Sequence, residues 1–483
     1  MKAYRRTLQF VLICATLELF KEAKITIEHT LGEGLFGEIH KDHQLTEEDV
    51  KAIKVKMLEI IKKDIKINKV SVTRKKAIEI FEMYKMEDKV KLLKTISYEN
   101  LKLYELNGRY DYFYGDMEPS TGVLKVFDLF KYESGFILNY PSEKEPDKLI
   151  EFKEQKKLYE IFHETEKWGN ILGASDVGSL NEKVINGDII NIIRVAEALH
   201  EKKIAYIADM IKEKKDIKVV LIAGPSSSGK TTFSKRLGVQ LRVNGFIPVP
   251  ISLDDYFLNR KDTPKDENGN CDFESIYALD LKLFNENLKD LMNGKKVVLP
   301  RFNFKNGERE WCQEATSLPE KSIIIIEGIH GLNELLTSSI PKDKKFKIYI
   351  SALTQLNLDN HNRIATTDVR IIRRIVRDYL SRGYGGEETL KMWDSVRKGE
   401  EKNIFVFQEE ADAMFNSTLV YELCALKKYA IIELDKIKED SPVYDEGVRL
   451  KSFLNFFKEI DVEYVPENSI LREFVGGSCF YKY

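Results

Sequence analysis

The chain has 483 residues, of which 43% are hydrophobic and 32% charged, and its 76 basic and 78 acidic side chains leave a formal net charge of −2. That length leaves room for two to four domains, and so even a balance carries no global signature of a nucleic-acid or membrane surface. Five scattered cysteines (Cys14, Cys271, Cys312, Cys424 and Cys479), with no C-x-x-C pair, point to reduced thiols and a cytoplasmic protein.

Lys2, Arg5 and Arg6 precede the apolar run Phe10-Val11-Leu12-Ile13-Cys14-Ala15, which imitates a short signal peptide. No small-x-small site follows, and Glu18, Lys21 and Glu22 come at once, so a core-facing helix to about residue 22 is the better reading. Lys24-Ile25-Thr26-Ile27-Glu28 alternates as a strand, and Leu35-Phe36-Gly37-Glu38-Ile39 reads as a second. A lysine-rich helix over 46–64 interleaves Glu47, Glu48, Asp49 and Glu59 with its lysines, the pattern of a solvated face. Tyr104, Tyr110, Tyr112, Phe113 and Tyr114 suit a packed sheet face better than a base-stacking platform. Residues 1–135 therefore read as an α+β domain. Residues 136–215 read as a linker and helical connector, with a helical pattern over 189–212, and 216–483 as an α/β domain with a C-terminal segment. No apolar run is long enough to cross a membrane as a helix.

Val219-Val220-Leu221-Ile222-Ala223 is a buried-strand pattern that runs into Gly224-Pro225-Ser226-Ser227-Ser228-Gly229-Lys230-Thr231-Thr232, a complete G-x-x-x-x-G-K-[ST] loop. Glycines let successive amides turn toward phosphate oxygens, Lys230 reaches the β/γ-phosphates, and Thr231 offers its hydroxyl to Mg²⁺. A helix over 229–243 adds the positive end of its dipole. The loop predicts binding of a nucleoside triphosphate, with ATP and Mg²⁺ as cofactors and Gly224, Ser226, Ser227, Ser228, Gly229, Lys230, Thr231 and Thr232 as nucleotide-binding residues.

A strand over 247–253 closes a β-α-β unit and delivers Asp254 and Asp255 to the carboxyl edge of the sheet, where ligands of open α/β sheets sit. Asp254 is the first choice for accepting a proton or holding metal, and Asp255 the fallback. Ser322-Ile323-Ile324-Ile325-Ile326 reads as a central strand that ends in Glu327, a second candidate metal ligand. His330 reads as a loop histidine, and no His/Cys spacing suggests zinc. Arg370, Arg374 and Arg377 share one helix face, with Arg373 beside them and Arg382 following before Gly383-Tyr384-Gly385-Gly386. That stripe suits a lid closing on phosphates, against the alternative of a salt-bridged surface helix. Beyond it, Ala430-Ile431-Ile432-Glu433-Leu434 reads as a strand and 446–457 as an amphipathic stretch.

Together these motifs resemble the uridine kinase and phosphoribulokinase family over about 216–435. The nearest local likeness is Asp368-Val369-Arg370-Ile371-Ile372-Arg373-Arg374-Ile375-Val376-Arg377-Asp378, with Arg382-Gly383 after it. The resemblance implies an α/β P-loop kinase core, a parallel sheet with helices on both faces. It implies that Asp254 is the general base, with Lys230 and Arg377 completing the catalytic set. Thr231, Glu327 and Asp254 would serve the metal, and Arg377 and Arg382 the phosphates. Glu274 would hold ribose hydroxyls, Arg374 would contact the acceptor, and Tyr256, Phe302 and Phe304 would line the acceptor pocket. Phe302 replaces the tyrosine of pyrimidine nucleoside kinases, their histidine falls near Gly307, and Tyr384 replaces the second lid arginine. The expected reaction is transfer of the γ-phosphate of ATP to a small hydroxyl acceptor, first of all the 5′-OH of a uridine- or cytidine-like nucleoside. A sugar phosphate or vitamin is the competing acceptor, and an RNA-binding, translation-linked ATPase switch the reading from another class. A GTPase is weaker, for want of an Asn-Lys-x-Asp motif.

The front domain resembles the second additional domain of threonyl-tRNA synthetases, on Ile27-Glu28-His29, Gly34-Leu35-Phe36, Leu45-Thr46-Glu47-Glu48-Asp49-Val50 and the stretch 110–117. The editing histidines and cysteine of that domain fall at Arg6, Phe10, Glu118 and Gly122, so the resemblance implies a fold kept for another purpose. Nucleic acid, if bound at all, would meet this domain. The two-part arrangement resembles a bacterial group of uridine kinase-like proteins, many of which carry a further small domain ahead, so Met1 is expected to mark a shortened form. Membrane partners are not expected, and a homo-oligomer is left open.

Overall fold

Burial explains the signal-like stretch at the N-terminus. Residues 8–15 are buried within the helix Lys2–Leu19 as part of a core formed with the strands that follow. The structure, a computed structural model, describes all residues except 215, 266–268, 270, 304–305, 355 and 482–483. Two compact units emerge. One comprises Met1–Asp188, Gln355–Ala365 and Asn455–Lys458; the other comprises Ile189–Thr354, Thr366–Leu454 and Glu459–Tyr483.

The first unit is α+β. Its four-stranded antiparallel sheet runs Lys24–Leu31, Gly34–His40, Gly135–Asn139, Asp128–Tyr132, and a three-stranded antiparallel sheet orders Asn68–Thr73, Asn100–Leu106 and Arg109–Asp111. The lysine-rich helix spans Glu47–Lys62, and its start is fixed by a reciprocal pair: the Asp49 amide donates to the Thr46 hydroxyl and the Thr46 amide to the Asp49 carboxylate. Tyr98, Tyr112 and Tyr114 surround Phe456, with ring centroids 5.8, 6.1 and 5.9 Å away, so these aromatics pack against one another. Arg6 donates to the Asp116 carbonyl and Phe10 packs on Phe113. The Glu118 amide donates to the Thr7 hydroxyl, and the Gly122 amide to the Asp64 carboxylate.

The second unit is built on a five-stranded parallel sheet in the order Ala413–Asn416, Lys345–Ser351, Val219–Ala223, Ser322–Glu327, Ile247–Ser252. Val219–Ala223 is buried at all five positions, as a central strand without a polar residue must be. The helix Lys230–Val243 crosses from it to the edge strand Ile247–Ser252, and Leu253 begins a short 3₁₀ turn that carries Asp254. Three strand ends, Ala223, Ser252 and Glu327, therefore open at one edge of the sheet.

One expected element is corrected. Ala430–Leu434 is not a strand; it is the end of the helix Glu422–Leu434, in which Leu423, Cys424, Ala425, Leu426, Ala430 and Leu434 are buried. A short apolar run fits either period, and no turn residues separate this one from Leu423–Leu426, so it extends to a helix of 13 residues. The amphipathic stretch forms the helix Tyr444–Leu454. Among the described residues no helix is long and apolar enough to cross a membrane.

Candidate active site

The loop after Val219–Ala223 has the backbone its motif demands. Ser227 and Gly229 sit at φ 59° and 83°, the left-handed backbone that lets such a loop curl around a phosphate. A Cβ at Gly224 would stand 2.0 Å from the Ile350 carbonyl oxygen on the neighbouring strand, so no other residue fits there. The hydroxyls of Ser227 and Ser228 are buried and lack a hydrogen-bond partner among the described residues. Such groups cost free energy unless a ligand completes them, and phosphate oxygens are the acceptors they suit.

Lys230 folds over the loop, its Nζ donating to the carbonyls of Gly224 (2.9 Å) and Pro225 (3.0 Å). Burial lowers its pKa, and the charges of Glu327 and Asp254 oppose that shift. The Thr231 hydroxyl lies 3.3 Å from Glu327 Oε1 and 3.5 Å from Oε2. Burial, reinforced by the Asp254 charge, pushes Glu327 up to about 7. The charges of Asp254 and Glu327 thus both act on Lys230 at the carboxyl edge of the sheet. Asp255 is engaged elsewhere, since its Oδ1 accepts from the Phe302 amide at 3.2 Å. That bond leaves Asp254 as the carboxylate of the pair whose charge is felt at Lys230, Glu327, Glu274 and Arg382.

Among the described residues no three His, Cys, Asp or Glu side chains converge closely enough to hold an ion alone. Thr231 with Glu327 and Asp254 is instead a donor set suited to magnesium, which uses one or two carboxylates and takes its remaining ligands from phosphates and water. Glu274 is also drawn into the cluster. Burial and the nearby Glu400 raise it to about 7, and Arg374 and Lys230 oppose the rise.

The arginine helix, Thr366–Ser381, divides its guanidinium groups between two tasks. Arg370 and Arg373 are buried structural cations. Arg370 pairs with Glu400 and donates to the Ser226 carbonyl; Arg373 grips Glu422 at 3.0 and 2.6 Å and also reaches the Ser227 carbonyl. Both therefore brace the phosphate loop from below. Arg374, Arg377 and Arg382 instead gather on one carboxylate, Asp378, with N···O separations of 3.2, 2.7 and 3.7 Å. Three cations on one anion leave unbalanced positive charge, and proximity to Arg377 lowers the exposed Arg382 to about 10. Arg374 also donates to the Ser226 hydroxyl, which joins this cluster to the loop.

The remaining residues expected at an acceptor pocket are spread more widely. Tyr256 lies in the core, its ring against Phe284 and its hydroxyl accepting from Asn287. Phe302 is buried edge-on to Phe257, and Phe304 lies outside the described residues. Arg309 pins the turn after Asp254 by donating to the carbonyls of Tyr256 and Phe257 while pairing with Asp280. His330 is buried, and burial lowers it to about 4, so it is neutral at pH 7.

Two carboxylates at the loop carried no sequence signal. Glu400 accepts from the Ser226 amide across 174 positions, and Glu473 from the Thr232 amide across 241. Neither sits in a motif.

The model of the phosphoribulokinase / uridine kinase family matches residues 219–422. The uridine kinase of Macrococcus caseolyticus is 30% identical over 178 residues, 37% of this chain and 77% of that protein. The uridine kinase of Staphylococcus aureus strain JH9 is 30% identical over 179 residues, 37% of this chain and 76% of its own length. A solved structure of a possible uridine kinase from Bacillus stearothermophilus aligns at 20% identity and a TM-score of 0.29, spanning 44% of this chain and 98% of that one.

Proposed function

The chain belongs to the phosphoribulokinase and uridine kinase family, and on that premise we propose that it moves the γ-phosphoryl group of ATP to the 5′-hydroxyl of a nucleoside. The observation that carries this reading is the coupling of Asp254 and Glu327 to Lys230 beside a loop whose buried serine hydroxyls await acceptors. Phosphoryl transfer asks little covalent chemistry of a protein; it requires positioning and neutralisation of charge. Lys230 leaves the two loop carbonyls to meet the β/γ-phosphates. Asp254 takes the proton of the attacking hydroxyl. Arg374, Arg377 and Arg382 supply the positive charge that the transferring group develops against. Magnesium bound at Thr231, Glu327 and Asp254 would supply neutralisation of the phosphate oxygens.

A nucleoside is favoured over a sugar phosphate by the carboxylates near Asp254. Glu274 is suited to accept hydrogen bonds from a neutral ribose diol, whereas a second phosphate would be repelled by Glu274 and by Glu400 beside it. Phe302 is apolar where a base-reading hydroxyl would stand, which leaves the base itself open.

The test is a phosphorylation assay with MgATP and separate pools of nucleosides, sugar phosphates and vitamins. Product is expected in the nucleoside pool, and Asp254→Asn is expected to keep ATP affinity yet lose about a hundredfold or more in turnover. Phosphate release that no pool accelerates would instead identify an ATPase switch, and product in another pool would reassign the acceptor.

A further inference from the structure

The C-terminal segment reaches back to the phosphate loop, and its contact there is chemically specific. One oxygen of Glu473, in the short helical turn Arg472–Val475, accepts from the Thr232 amide at 3.1 Å and from the Thr232 hydroxyl at 3.0 Å. Thr232 is fully buried, and Glu473 is only 8% exposed. The Tyr481 hydroxyl lies 2.7 Å from the same Thr232 hydroxyl. Ile470 seals the other side: a Cβ on Gly229 would be 2.5 Å from its Cγ2. Phe474 lies under the Arg373 guanidinium, 4.9 Å from ring centroid to cation.

The Thr232 amide is the third of the loop helix, after Lys230 and Thr231, and belongs to the set of helix-terminal donors on which a phosphate chain rests. A carboxylate already occupies it. Glu473 also brings a fourth negative charge toward Lys230, alongside Glu327, Asp254 and Glu400. The same amide cannot donate fully to both, and two anions in one buried cradle repel.

We propose that Glu473 is a built-in competitor for the innermost phosphate of the nucleotide, so that donor binding requires its side chain to leave Thr232. The apolar anchors Ile470, Leu471 and Phe474 are each fully buried, which holds the backbone of the turn in place while the carboxylate rotates. Gly476 and Gly477, at φ 79° and 72°, follow directly and give residues 478–481 a hinge by which Tyr481 can withdraw. The consequence is a nucleotide affinity set below what the loop alone would give, and adjustable by whatever engages the C-terminal segment. This inference rests on the kinase reading for the identity of the ligand.

The test is calorimetric titration of the full-length protein with a non-hydrolysable MgATP analogue, comparing the wild type with Glu473→Gln. The variant keeps the shape and loses the charge, and its dissociation constant is expected to fall about tenfold or more, since a charge-assisted hydrogen bond no longer opposes the ligand. A side chain that merely supports the loop would give the opposite sign, weaker binding or none gained, and that result overturns the proposal. Hydrogen exchange on the unaltered protein provides a second reading should the variant fold poorly. Addition of the analogue is expected to speed exchange over residues 476–481 while slowing it at Thr232, and slowed or unchanged exchange in both overturns the competitor. If neither protein binds the analogue, the kinase reading falls and the competitor with it; binding without tightening removes the competitor alone.

Discussion

Glu327 shows how a single carboxylate at a strand end records the purpose of its surroundings. Four consecutive isoleucines bury the strand before it, and the chain then places an acid where solvation is poor and Asp254 is near. Its pKa rises to about 7 from an ordinary 4.5, so between those values the folded protein keeps a proton that the unfolded chain has released. The associated stability is complete below about 4.5 and lost as pH climbs through about 7. Glu274 shifts in the same direction for the same first cause. Glu327→Gln cannot titrate, so its melting temperature minus that of the wild type, measured without nucleotide, is expected to rise by about 2 °C or more between pH 5 and pH 8. A flat or falling difference would mean that Glu327 is solvated and not coupled to Asp254. At this scale the sequence was legible where a motif singled out the residue: Thr231 and Glu327, named from separate motifs, lie 3.3 Å apart, and Asp254 stands on the turn that follows the edge strand. Glu400 and Glu473 were not legible, because a single acid in an otherwise ordinary helix becomes a loop ligand only through the tertiary fold.

Among elements, the arginine helix separates what periodicity can and cannot say. The spacing of Arg370, Arg374 and Arg377 does place them on one face, and Arg373 stands beside that face. Periodicity could not announce that Arg373 is fully buried, with Glu422, Ser417 and the Ser227 carbonyl as partners, while Arg382 is half exposed beyond the helix end. The distinction is measurable. Arg373→Ala leaves the Glu422 carboxylate buried and uncompensated, a loss of roughly 3–5 kcal/mol in denaturant unfolding. Arg382→Ala is expected to change stability by no more than about 0.5 kcal/mol, yet to lower kcat/KM by about 10²–10³ through lost stabilisation of transferring charge. Equal effects of the two changes on stability would contradict the division of labour drawn from their partners. The misread run Ala430–Leu434 has the same origin: local hydrophobicity names a buried segment, and the neighbours decide its period.

The whole molecule depends on contacts that cross most of its length. The first unit is not completed by residues 1–188; it also contains the hairpin formed by Asn357–Asp359 and Asn362–Arg363, and residues 455–458. Lys89, 1% exposed, is held by Asp111 at 3.0 Å and by Asp359 at 2.8 Å, and His361 bonds the other oxygen of Asp111 at 2.6 Å. The Asn360 amide donates to Asp88, and Asn181 donates to the Phe456 carbonyl. No composition shift marked these insertions, since an eleven-residue excursion between the strand Lys345–Ser351 and the helix Thr366–Ser381 reads as an ordinary loop. Physically they are decisive, because a buried ammonium that loses one of its two carboxylates keeps its desolvation cost with half its compensation. Contacts across 270 positions also cannot form until most of the chain exists, so the front unit completes its fold late. A fragment of residues 1–188 is therefore expected to lack a cooperative thermal transition by circular dichroism and to exchange its amide hydrogens rapidly, whereas the same residues in the full chain are protected. If that fragment melts cooperatively at the temperature of the intact protein, the Lys89 network is dispensable and residues 1–188 fold as an independent domain.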